Sequence, residues 1–102
     1  MNNHINLQQI KQIVAKIDIS KIIVYSQEYP KSKTLRQIIN YRQRIQTSNN
    51  DQRIFKLGVR IAYYLDSICD PDKAGYVKNE TEKKCWLGIS EELFKNTVGE
   101  KK

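Results

Sequence analysis

Residues 53–76, RIFKLGVRIAYYLDSICDPDKAGY, decide how the chain folds. Ile54, Leu57, Gly58, Ile61, Ala62, Leu65, Ile68 and Cys69 recur at three- and four-residue intervals, which puts them on one buried face of an α-helix. Gly58 and Ala62 lie one turn apart on that face, where small side chains admit a neighbouring helix at close range. Arg53, Lys56 and Arg60 occupy a different face. Asp70-Pro71 ends the helix, and DPDKAGYVK supplies turn residues for a longer loop.

Working outward from this helix, the same period appears three more times. On the N-terminal side, Leu35, Ile38, Ile39 and Ile45 form a stripe, with Tyr41 and Arg42 beside it, that begins behind a Ser32 cap. The polar run Thr47-Ser48-Asn49-Asn50 joins it to the central helix, as between antiparallel neighbours. Further upstream, Leu7, Ile10, Ile13, Val14 and Ile17 follow Asn6 as an N-cap. The far end of that first helix is open, because Asp18 to Tyr25 (DISKIIVY) is β-branched enough for a strand while Ile19, Ile22 and Ile23 continue the helical spacing. With no second strand to pair with, the helical or loop reading is preferred, and Tyr29-Pro30 closes the segment. Downstream, Asn79 and Glu82 form a capping-box-like start to a helix with Cys85, Trp86, Ile89 and Leu93 inward, stopping near Gly99. Glu80, Glu82, Glu91 and Glu92 are expected to face solvent. The expectation is an all-α protein, a single-domain antiparallel four-helix bundle spanning residues 1–102.

The net charge of +7 is concentrated. Lys31, Lys33, Arg36, Arg42, Arg44, Arg53, Lys56 and Arg60 stand against one acid, Asp51, and elsewhere the two signs cancel. Such a field keeps a protein soluble and also favours an anionic partner, whether polyanion, membrane surface or acidic protein. The stretch MNNHINLQQIKQ has no signal-peptide pattern and no run suits a membrane span, so a cytoplasmic protein is expected, with Cys69 and Cys85 as buried free thiols and a bridge between two helix ends as the alternative.

Chemistry for catalysis is hard to find. The single histidine, His4, sits near the N-terminus, and no glycine-rich phosphate loop or metal-ligand spacing is visible, so no catalytic residue, metal ligand or cofactor is expected. Asp66, Asp70 and Asp72 read as solvated turn carboxylates without the spacing of a calcium loop. Arg53, Lys56 and Arg60 lack interleaved Asn, Gln or Ser to read base edges; Tyr41, Tyr63 and Tyr64 suit base stacking or helix packing equally.

The order and spacing of IKQIVAKI, SKTLRQIINYRQRI, KLGVRIAYYLDSI, a loop, and NETEKK leading into WLGISEELF resemble the immunity proteins of class IIa (pediocin-like) bacteriocins, the enterocin A immunity family. The resemblance implies a cytoplasmic four-helix bundle that protects a cell from a pore-forming peptide, acting at the membrane-embedded sugar-transporter receptor that the peptide seizes. It also implies specificity in the C-terminal half, where Tyr76, Lys78, Trp86 and Phe94 are the recognition candidates. For Trp86, core packing is the competing reading, since it continues the apolar stripe. Pediocin-like peptides are themselves cationic, so a basic protein is a poor trap for free peptide. Arg53, Lys56 and Arg60 instead suit the anionic inner leaflet or acidic receptor loops, giving a peripheral position at the inner membrane face. A small basic nucleic-acid-binding regulator, or a helical subunit of a larger assembly, are the alternatives.

Overall fold

A computed structural model describes residues 7–99. It is all-helical among those residues and holds five helices: α1 (Leu7–Ala15), α2 (Ile19–Glu28), α3 (Lys33–Thr47), α4 (Asp51–Cys69) and α5 (Glu80–Lys95). The expectation of four is corrected at residues 16–18. There the amides of Lys16 and Ile17 tighten onto the carbonyls of Ile13 and Val14, ending α1. Asp18 then caps α2, its carboxylate accepting from the backbone amide and hydroxyl of Ser20. DISKIIVY is therefore helical, begun by its own aspartate. The proposed Asn6 cap and the residues after Gly99 lie outside the described residues.

Helix directions follow from side-chain contacts. Cys69 lies against Lys83, the Ser90 hydroxyl donates to the Ala62 carbonyl at 2.7 Å, and Tyr63 meets Phe94, so α4 and α5 are antiparallel. Gln46 donates to the Lys11 carbonyl and Arg42 to that of Ala15, which sets α1 antiparallel to α3 and places a guanidinium at the C-terminal end of α1. Helix α4 is central and packs on α1, α3 and α5, while α2 packs along α3.

The small residues of α4 act where the spacing places them. A Cβ at Gly58 would stand 3.2 Å from Ile10 Cγ2, so α1 crosses there, and Ala62 is where Ser90 of α5 comes closest. Ile10, Val14, Leu35, Ile38, Ile45, Ile61, Leu65, Ile68 and Leu93 are buried together in one core. The loop after α4 folds back on that helix: the Gly75 amide donates to the Ser67 carbonyl and the Val77 amide to that of Ile68. Gly75 has φ +61°, and a Cβ there would lie 3.1 Å from Pro71 Cα.

Candidate functional site

The turn Ser48-Asn49-Asn50 is short because both of its ends are capped by side chains. Ser48 Oγ accepts from the Asn50 amide, and Asn50 Oδ1 accepts from the Arg53 amide to start α4. This hairpin brings the last turn of α3 beside the first turns of α4. The groove between them, about 410 Å³, is lined by Tyr41, Arg44, Asn50, Gln52, Arg53, Lys56, Leu57 and Arg60. Arg44 and Arg53 also border a second depression of about 290 Å³ over the turn.

Four cations and no carboxylate line the groove. Arg53, Lys56 and Arg60, expected to share a face, do line it together, and Arg44 joins them from α3. The other cations of the basic segment lie elsewhere: Arg36 donates to the Pro30 carbonyl, and Arg42 to that of Ala15. The ion pairs Lys16–Glu92, Lys21–Glu82, Lys73–Asp66 and Lys83–Glu80 involve none of the groove cations. Arg53 also stands in the first turn of α4, where the helix dipole disfavours a positive charge and Asp51 is the acid beside it. Beneath the cations, Tyr41 and Tyr64 stack with centroids 6.0 Å apart. Burial pushes the Tyr64 hydroxyl pKa up, the neighbouring Tyr41 adds to this, and Arg60 works against it.

Recognition candidates from the C-terminal half are not gathered in one place. Trp86 and Phe94 are 3% and 1% exposed, so neither offers a side chain to a partner in this conformation. Trp86 Nε1 donates to the Tyr25 hydroxyl, which donates to Glu82, which in turn faces Lys21 at 3.8 Å. Burial, and then the Glu82 hydrogen bond, push the Tyr25 pKa up to about 12. Tyr76 stacks on Tyr29 with centroids 4.2 Å apart, and Lys78 is exposed. Glu82 is thus half-buried, against the expectation that it faces solvent, whereas Glu80, Glu91 and Glu92 are exposed.

Cys69 and Cys85 are free thiols, but Cys85 is exposed, which corrects its expected place on the inner face of α5. The buried phase of that helix runs through Trp86, Ile89, Ser90, Leu93 and Phe94, one residue away from Cys85. Burial first, and Asp66 second, push the Cys69 thiol pKa up to about 11, unsuited to a nucleophile at neutral pH. Asp70 accepts from the Asp72 amide as a turn carboxylate, and Asp66 pairs with Lys73. Among the described residues no cluster of three or more His, Cys, Asp or Glu could hold a metal ion, and His4 lies outside them.

Comparison with protein-family models, curated proteins and solved structures finds no match. The groove between α3 and α4 is the candidate site on its own geometry.

Proposed function

We propose that the chain is a non-catalytic binding protein that meets an anionic partner through the groove between α3 and α4. The observation that supports this is the row Arg44, Arg53, Lys56 and Arg60, without a carboxylate among the residues lining the groove. Like charges held this close repel one another, and an anionic partner relieves that repulsion.

The biological role we propose, from the sequence resemblance to the enterocin A immunity family, is protection against a pore-forming pediocin-like peptide. In this reading the protein works in the cytoplasm at the inner face of the membrane, where the peptide's receptor sits. The groove supplies attachment, and the exposed surface of the C-terminal half, including Tyr76 and Lys78, supplies discrimination between peptides. Tyr41 is 9% exposed and Tyr64 is half-buried, so this pair lends the nucleic-acid alternative little.

The test is expression in a bacteriocin-sensitive strain followed by challenge with a panel of pediocin-like peptides. We expect survival against at least one peptide, and loss of that survival in a folded Arg53→Glu/Lys56→Glu/Arg60→Glu variant. Sensitivity to the whole panel would remove the immunity role. Full protection by the charge-reversed variant would remove the groove from it.

A further inference from the structure

The outward side of α4 carries more than charge. Lys56, Val59, Arg60 and Tyr63 stand at i, i+3, i+4 and i+7, the spacing at which helical side chains share one patch of surface. Phe55, one turn before Val59, extends the apolar row. Lys56 and Arg60 are exposed, Phe55 and Val59 are half-buried, and Tyr63 is 55% exposed. The Tyr63 ring is braced from below by the edge of Phe94, with centroids 4.8 Å apart at 85°. Beyond Phe94, Val98 is also exposed. A carboxylate, Asp66, follows one turn past Tyr63 on α4, where it pairs with Lys73.

An apolar row alone would suit many partners. Interleaved with cations, it suits a surface that offers negative charge outermost and hydrocarbon just below, at the depth difference between a lysine tip and a valine methyl. We propose that this face of α4 seats on an anionic lipid bilayer, with Phe55, Val59 and Tyr63 entering the headgroup boundary and Lys56, Arg60 and Arg53 at the phosphates. The geometry matches the interfacial preference of tyrosine, whose ring sits in the apolar layer and whose hydroxyl reaches water. A second copy of the chain is a poor occupant, because a two-fold contact through this face would bring the same cations together. The proposal rests on the reading of the groove as an anion-facing site and adds its partner and its orientation. No helix among the described residues is long and apolar enough to cross a membrane, so the contact is one of lying on the surface.

Vesicle sedimentation tests it. The purified protein is mixed with phosphatidylcholine vesicles and with vesicles containing phosphatidylglycerol, over a range of salt. Wild type should partition onto the anionic vesicles and not onto pure phosphatidylcholine. Val59→Ser/Tyr63→Ser, which leaves every charge in place, should lower that partitioning roughly tenfold with an unchanged salt slope. Arg53→Glu/Lys56→Glu/Arg60→Glu should lower it roughly hundredfold and flatten the slope. Tyr63→Ser alone, at an exposed position, is the fallback should the double variant lose helicity, with a smaller drop of the same kind.

Wild-type partitioning by folded Val59→Ser/Tyr63→Ser or Tyr63→Ser would overturn the proposal and leave the basic groove as a purely electrostatic site. Failure of wild type to bind anionic vesicles, with tight binding to an acidic peptide or to DNA instead, would overturn it as well. So would a dimer that Val59→Ser/Tyr63→Ser dissociates. Lipid binding that behaves as expected beside absent protection in cells would support the surface contact and sink the immunity role.

Discussion

Two sides of the molecule solve the problem of charge in opposite ways. Around α1, α2 and α5, cations meet carboxylates: Lys16 with Glu92, Lys21 with Glu82, and Lys83 with Glu80. Polar atoms there are also shared in series, from Trp86 through Tyr25 to Glu82. Toward α3 and solvent, Arg44, Arg53, Lys56 and Arg60 line one groove with no acid in its wall. The first side is arranged for the protein's own stability, whereas the second leaves favourable electrostatic energy to be supplied by something outside it. Substitutions on the two sides should therefore move stability in opposite directions.

The largest effect is expected on the paired side. Trp86→Ala removes a ring that is 3% exposed and leaves the Tyr25 hydroxyl without its donor, so a loss of about 3–5 kcal/mol is expected in urea unfolding. Gly58→Val should follow, at about 1–3 kcal/mol, because a side chain there runs into Ile10. Tyr25→Phe keeps the ring and deletes the hydroxyl between Trp86 and Glu82, with about 1–3 kcal/mol lost. The comparison fails if Trp86→Ala and Tyr25→Phe are both neutral.

The groove should show the reverse sign and a smaller size. Arg53→Glu replaces a cation in the first turn of α4 by an anion, and a gain of about 0.3–1 kcal/mol at low salt is expected, shrinking as salt is added. A variant that is more stable but no longer binds an anionic surface would mark the groove as a place where stability is given up for binding.

Alkaline pH should act on the paired side. Tyr25 and Cys69 have pKa values raised to about 12 and about 11 from 10.0 and 9.0, in each case first by burial. Both are neutral when protonated, so folding retains their protons. Their contribution is complete below about pH 9 and is lost as pH rises through 11 and then 12. Urea midpoints should be level from neutral pH to about 9 and fall above it. The smallest effect is one of reactivity: a thiol reagent should modify Cys85 in the native protein and reach Cys69 on unfolding.

Helix phase accounts for most of what could be read in advance. The stripe from Ile54 to Cys69 is strongly periodic and is the buried face of α4, and the caps Ser32 and Asn79 stand where polar residues precede periodic runs. The break at Asp18 was obscured because Ile17, Ile19 and Ile22 carry the apolar spacing through it. The cue was the Asp-Ile-Ser order, since a carboxylate two residues before a serine amide competes with helix continuation. On α5, a one-residue error in phase places Cys85 inward. Ser90 sits buried at an otherwise apolar position because its hydroxyl finds the Ala62 carbonyl, so hydrophobicity alone misreads that face.

For the groove, Arg53, Lys56 and Arg60 were legible from spacing within one helix. Arg44 was not, because its membership depends on how closely the three-residue turn folds α3 onto α4. Nor could sequence alone separate Arg42 and Arg36 from the cations of the groove. Their neighbours in the chain are equally basic, and what removes them is a carbonyl brought near by the fold.

Gly58 bears on the order in which the chain assembles. The contacts of α2 with α3, α3 with α4 and α4 with α5 join neighbours in sequence and close short loops, which is the topology of fast-folding proteins. Helix α1, with nine residues, is too short to persist alone in water, and Lys16, just past its end, pairs with Glu92, 76 positions away. We expect it to dock once α4 presents the notch at Gly58. Substitutions at Ile10 and Gly58 should therefore speed unfolding while leaving the refolding rate nearly unchanged, marking α1 as the last piece in and the first piece out.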